Sequence, residues 1–168
     1  MSPKFVVVGP PGAGKTTVSE LLAKRLGLVF RDTDADIVEA TGRPIADIFT
    51  EDGETVFRAM EEEAVAKALA EHDGVLALGG GAVLSQKTRD RLKGHTVVFL
   101  NVGMAEGVRR TGLSSARPMF SGVNPRATFK ALLDARLPVY REVATIEVLT
   151  DSLDPEQVTD AVIKGAQA

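Results

Sequence analysis

The sequence predicts an α/β domain of three layers, a five-stranded parallel sheet flanked by helices. Three observations carry that prediction. Short runs rich in β-branched residues alternate with amphipathic stretches of helical period. The strand-like runs are apolar almost throughout, as in strands covered on both faces, rather than at every second position. The first of them runs directly into "GPPGAGKT", residues 9–16, a strand–turn–helix junction.

Taken in order, Lys4–Val8 reads as the first strand. Lys15–Leu26 follows as a helix with Val18, Leu21, Leu22 and Leu26 on one face. Leu28–Arg31 is the second strand, and a helix starts near Ala35. Glu54–Glu71 carries Phe57, Met60, Ala64 and Ala68 at helical spacing. Val75–Leu78 and Thr96–Val102 are the third and fourth strands. Gly112–Pro125 has little periodicity and much Gly, Ser and Pro, so it reads as a long loop, with a lid over about 112–124. Ala127–Leu137 is a helix with Phe129, Leu132, Leu133 and Leu137 on its apolar face, and Thr145–Thr150 is the fifth strand. Asp154-Pro155 opens the last helix, an N-cap followed by proline at the first helical position.

With 168 residues and 44% hydrophobic content, the chain is expected to be one domain, 1–168, with a sizeable core. No apolar run approaches the ~20 residues of a membrane helix, and the N-terminus lacks the pattern of an export signal. There is no cysteine, hence no disulfide and no thiolate metal site. These features place the protein in the cytoplasm, away from membranes. A net charge of −3 argues against a general nucleic-acid binder. An anionic ligand would have to be held by a few locally placed Arg and Lys.

Residues 9–16 match the phosphate-binding pattern G-x-x-x-x-G-K-[ST], in the right context of strand before and helix after. Gly12 and Gly14 let backbone N–H groups face a phosphate, and the helix N-terminus adds its own unpaired donors. Lys15 is expected to reach the β- and γ-phosphates, and Thr16 to offer its hydroxyl to Mg²⁺. Gly12, Ala13, Gly14, Lys15, Thr16 and Thr17 are thus the candidate ATP contacts. A glycine-rich turn with a chance lysine is the plain alternative, and pattern and context together disfavour it.

Just past the second strand stand three acids at alternate positions, Asp32, Asp34 and Asp36. In open α/β sheets the carboxyl ends of the strands face the ligand crevice. One carboxylate could hold a water on Mg²⁺, which takes few protein ligands. A second could receive the proton of an attacking hydroxyl, or simply aim it. Capping the following helix needs one acid, not three, and Asp36 is the one assigned to capping or solvent.

"GPPGAGKT", "DTDADI", "IADIFTEDGETVFRAMEE", "LALGGGAV", "EGVRRTG" and "ARPMF" occur in an order and spacing that resembles the shikimate kinases, over nearly the whole chain. The resemblance implies a P-loop fold with a substrate-binding helical region, about 32–61, and a lid loop. It implies MgATP-dependent phosphorylation of the 3-hydroxyl of shikimate, in aromatic amino acid biosynthesis, by a monomer whose partners are ATP/ADP and shikimate. It puts Asp32 by the metal, through water, beside Thr16, and gives Asp34 to the substrate hydroxyl as candidate base. Gly79, Gly80 and Gly81 line the shikimate site; Arg58 and Arg136 clamp its carboxylate; Phe49 and Phe57 wall the same pocket. Arg117 closes onto the transferring phosphoryl group, so that Asp34, Lys15 and Arg117 form the catalytic set. Arg110 and Pro155 flank the adenine, and Arg109 is the neighbour that points away. Thr16 replaces the serine of many members and keeps the hydroxyl.

Each residue also has a plainer explanation: a surface ion pair for Arg58, a helical surface charge for Arg136, core for Phe57, a helix-start proline for Pro155. Two other functions compete. One is a P-loop kinase for another small hydroxy acid such as gluconate, against which the glycine triplet and the Arg58/Arg136 pair argue. The other is a nucleotide-binding regulatory domain, which would have no use for Asp34 or an acceptor pocket.

Overall fold

A computed structural model describes residues 3–103, 106, 109 and 125–167. Its strands are β1 (Phe5–Val8), β2 (Phe30–Asp32), β3 (Val75–Ala77), β4 (Val97–Asn101) and β5 (Ile146–Leu149), in the spatial order β2-β3-β1-β4-β5 with every pair parallel. The described helices are α1 (Lys15–Leu26), α2 (Thr33–Thr41), α3 (Ile45–Asp52), α4 (Glu54–Glu71), α5 (Gln86–Arg91), α6 (Pro125–Val143) and α7 (Pro155–Gln167), with a 3₁₀ turn at Ala82–Leu84.

Alternate residues of β1 divide the core between two layers. Phe5 and Val7 join Val18 and Leu22 of α1 and Val158 and Val162 of α7 on one face of the sheet. Val6 and Val8 join Val65, Ala68 and Leu69 of α4 and Tyr140 of α6 on the other. Both faces of the central strands are therefore dry, which accounts for their unbroken apolar character. A third, smaller cluster of Ile37, Ile48 and Phe57 ties α2, α3 and α4 together away from the sheet. The long axis of α4 belongs to both: its second half packs on the sheet and its first half on the small cluster.

Several elements depart from the expected bounds. The second strand lies two residues later than the pattern places it at its start and ends on Asp32. The helix expected near Ala35 begins at Thr33, because the Asp32 side chain accepts from Asp34 N–H at 2.8 Å and caps it. Asp36 is therefore not the capping acid; it pairs with Arg31 at 2.7 Å. Leu26, expected on the apolar face of α1, is 41% exposed. The helix expected to stop at Leu137 continues through Pro138 to Val143. Pro138 and Asp134 both lie on its exposed side, so the Asp134 carbonyl that loses its N–H partner faces water. Among the described residues, no helix is long and apolar enough to cross a membrane.

Candidate active site

The carboxyl ends of β1, β2 and β3 deliver three segments to one place: the glycine-rich loop, the Asp32/Asp34 pair and the glycine triplet. In the loop, Gly12 and Gly14 both take φ of 84°, a left-handed conformation that side chains disfavour. Gly9 is fixed by a different constraint, since a Cβ there would lie 2.5 Å from the Leu100 carbonyl oxygen of β4. Gly14 begins α1 without a side-chain cap, so the helix N-terminus is left to an external acceptor. Lys15 is the first residue of that helix, and its ammonium donates to the Gly9 and Pro10 carbonyls at 2.9 and 3.2 Å. These bonds hold the charge across the mouth of the loop.

A cavity of about 340 Å³ opens in front, lined by Lys15, Thr16, Asp32, Asp34 and Gly80. A second, of about 200 Å³, adjoins it and is lined mainly by Ala13, Val18, Leu153, Pro155 and Val158. It is an apolar slot of the kind a purine ring fills. Pro155 serves the helix and faces the slot. It starts α7, where Asp154 and Gln157 cap each other reciprocally at 2.8 and 2.9 Å, and it lines the slot. The Thr16 hydroxyl and the Asp32 carboxylate are hard oxygen donors on the same cavity as Lys15, a donor set that suits Mg²⁺.

The acceptor side is built around Gly79–Gly81. None of the three has a positive φ; their reason is close approach. A Cβ on Gly79 would stand 2.7 Å from Asp34 Oδ1 and 2.8 Å from Glu61 Oε2. One on Gly80 would stand 3.4 Å from Arg136 Nη1, and one on Gly81 would overlap the Arg58 guanidinium. At Gly79 and Gly81 the missing side chain makes room for a charged group; at Gly80 the space is only snug.

Arg58 donates to Glu61 at 2.8 Å and pairs with Glu54 at 3.3 Å. Its guanidinium lies 5.6 and 5.3 Å from the ring centres of Phe49 and Phe57, which contact each other at 4.7 Å. The surface ion pair considered for Arg58 with the acids that follow it, Glu61 and Glu62, forms with Glu61, but Glu61 is only 2% exposed. Glu62, the other acid nearby in sequence, accepts from Ser85 instead. Burial pushes the Glu61 carboxyl above its usual range; Arg58 opposes that shift, and the negative charge of Asp34 adds to it.

Arg136 is no surface charge. It is 7% exposed, and its Nη1 is buried without a hydrogen-bond partner. The Tyr140 hydroxyl, one turn further along α6, donates to the Gly80 carbonyl of the glycine triplet. A buried cation with an unmet donor is costly until an anion arrives.

Lys15, Thr16, Asp32, Asp34 and Gly80 thus share one cavity, and Gly79–Gly81 stand against Asp34, Arg136 and Arg58, the last of which lies by Phe49 and Phe57. Arg110, Arg117 and the expected lid at 112–124 lie outside the described residues. Arg109 pairs with Glu106. Sequence reasoning takes Glu61 only as a surface partner of Arg58 and does not single out Tyr140.

The family model for shikimate kinase matches residues 11–167. The chain is 68% identical to a shikimate kinase of Saccharopolyspora erythraea over 168 residues, covering 100% of this chain and 96% of that one. It is 56% identical to a shikimate kinase of Streptomyces avermitilis over 161 residues, covering 96% and 94%. Among solved structures, the shikimate kinase of Acinetobacter baumannii in complex with shikimate superposes with a TM-score of 0.94 at 34% identity, covering 99% of this chain and 93% of that one. A gluconokinase from Sinorhizobium meliloti shares the fold at a TM-score of 0.56 and 19% identity, with 99% and 92% covered.

Proposed function

The chain belongs to the shikimate kinase family, and from that premise we propose how its own residues carry out ATP-dependent phosphorylation of the 3-hydroxyl of shikimate. One observation carries the reading: Arg136, buried with an unmet donor, stands with Arg58 behind the glycine triplet, on the same site as the P-loop lysine and Asp34. A buried guanidinium beside a second, half-buried one fits a substrate carboxylate. A neutral polyol would leave the Arg136 charge uncompensated.

In this reading Arg136 and Arg58 receive the carboxylate, and the ring rests against Phe49 and Phe57. Asp34 accepts a hydrogen bond from the reacting hydroxyl and turns its oxygen toward the γ-phosphate. Lys15 leaves the Gly9 and Pro10 carbonyls for the phosphate oxygens, where charge spreads during transfer. Thr16, and Asp32 through water, would hold Mg²⁺, which neutralises phosphate charge when bound with ATP. Ala13, Thr17 and Pro155 hold the base. Arg117 and Arg110 are assigned by resemblance to the transferring group and the adenine edge. The protein's contribution is positioning and electrostatics rather than covalent chemistry. The enzyme is read as a cytoplasmic monomer folded as one domain.

Coupled ADP release with MgATP and a panel of acceptors tests the assignment. Shikimate should support turnover, and gluconate or water should not. ADP release that gluconate stimulates, or that ignores the acceptor, would overturn it.

A further inference from the structure

Tyr140 is the chain's single tyrosine and has no place in the mechanism above. It is fully buried and stacked on Phe99 of β4, with ring centres 4.9 Å apart. Packing alone would be satisfied by phenylalanine. The hydroxyl is instead aimed at the acceptor site: it donates to the Gly80 carbonyl at 2.5 Å. Burial pushes the phenol up to about 12, so it remains a donor throughout the working pH range.

The consequence follows from peptide geometry. The Gly80 carbonyl and the Gly81 N–H belong to one planar trans peptide and point in opposite directions. Glycine flanks that plane on both sides and gives it little intrinsic stiffness. The Tyr140 bond on the carbonyl fixes the plane and holds the N–H on its opposite side. The Arg136 Nη1, a buried donor without a partner, lies 3.4 Å from where a Cβ on Gly80 would stand.

We propose that Tyr140 is a positioning residue that sets acceptor specificity, locking the Gly80–Gly81 peptide beside Arg136 as part of the receptor for the substrate carboxylate. This rests on the reading of the acceptor as shikimate. It adds a residue that touches neither substrate nor nucleotide. Truncating the hydroxyl leaves the Gly80 carbonyl without its donor, so the peptide regains freedom that substrate binding must remove.

The test is Tyr140→Phe, which keeps the ring on Phe99. KM for shikimate should rise by roughly five- to tenfold, while kcat and KM for ATP move by less than about twofold. A shikimate analogue with a carboxamide in place of the acid should lose much less. Combined with Arg136→Lys, the increase in KM should fall short of the product of the two single effects, since both act through one receptor. An unchanged KM for shikimate would overturn the inference. So would equal losses toward acid, amide and ATP, which a merely structural residue would give. Wild-type enzyme that fails to phosphorylate shikimate would overturn the substrate reading itself, and the inference with it.

Discussion

At the scale of single residues, the site is a set of charges whose neighbours have been pared to glycine. Gly81 takes φ −103° and ψ 5°, values open to any residue, so Gly81→Ala strains no backbone. Its Cβ must displace the Arg58 guanidinium, the free end of a flexible side chain. We expect a thermal midpoint close to wild type and a KM for shikimate raised about tenfold, with KM for ATP unchanged. A collapsed midpoint, or an unaffected KM, would show that the triplet serves the fold instead. Glu61 makes a second prediction through pH. Its folded pKa is raised above the unfolded value of about 4.3. The folded state thus binds the proton more tightly, and this stabilisation is full below the unfolded pKa and lost as pH rises through the folded one. At neutral pH the ionised group is a cost. Glu61→Gln should therefore gain midpoint relative to wild type at pH 7–8, and the gain should shrink as pH falls toward about 4.5. Denaturation scans across that range check it, and a difference growing in the acid direction would contradict the burial argument. Of these residues, Asp34 and Arg58 stand in motifs, whereas Arg136 lies outside all of them and is singled out through the family resemblance alone. Glu61 left a fainter mark: it interrupts the buried stripe Phe57–Val65–Ala68 of its helix with a charge. Tyr140 left only its spacing of one turn from Arg136.

At the scale of elements, the strands and α1 were legible because apolar runs and a glycine-rich turn need no tertiary context. Where tertiary contacts decided, pattern failed. Proline should have ended α6, yet packing of Tyr140 against the sheet carries the helix past it. The start of α2 was misplaced because any of three acids could cap it, and only geometry assigns the cap to Asp32. That assignment gives Asp32 two tasks that substitutions can separate. Asparagine caps as well as aspartate but lacks the charge for a metal-bound water. Asp32→Asn should keep the thermal midpoint within about 1 °C while raising the Mg²⁺ concentration needed for half-maximal turnover. Asp32→Ala should show the same Mg²⁺ defect and also lose about 1 kcal/mol, a midpoint lower by roughly 2–4 °C. Both variants titrating with Mg²⁺ like wild type would remove Asp32 from the metal site.

At the scale of the whole molecule, stability is divided unevenly, and the division runs through the acceptor site. The sheet is covered on both faces by continuous clusters, whereas α2, α3 and the start of α4 rest mainly on Ile37, Ile48 and Phe57. Each fully buried apolar side chain contributes about 1.5–3 kcal/mol, so this region has far less to lose on opening. It also carries Arg58 and Glu61, a buried ion pair that adds little net stability, and it closes on Arg136, whose unmet donor favours any state that admits water or an anion. Helix α4 spans the boundary, with Arg58 and Glu61 on the weak side and Val65, Ala68 and Leu69 in the main core. Amide exchange in the free protein should accordingly be faster over residues 45–61 than over 65–71, within what is otherwise one helix from residue 54 onward. Shikimate, by satisfying the arginines, should slow exchange selectively over 33–61 and around Gly79–Gly81, and ATP should instead protect the P-loop and the first turn of α1. At a hundred times its Kd, either ligand stabilises by about 2.7 kcal/mol, roughly a hundredfold in the exchange of regions that open only in the unbound form. Exchange that is uniform along α4 in the free protein, or shikimate protection spread evenly over the sheet, would show that the acceptor region is not a separate unit of stability.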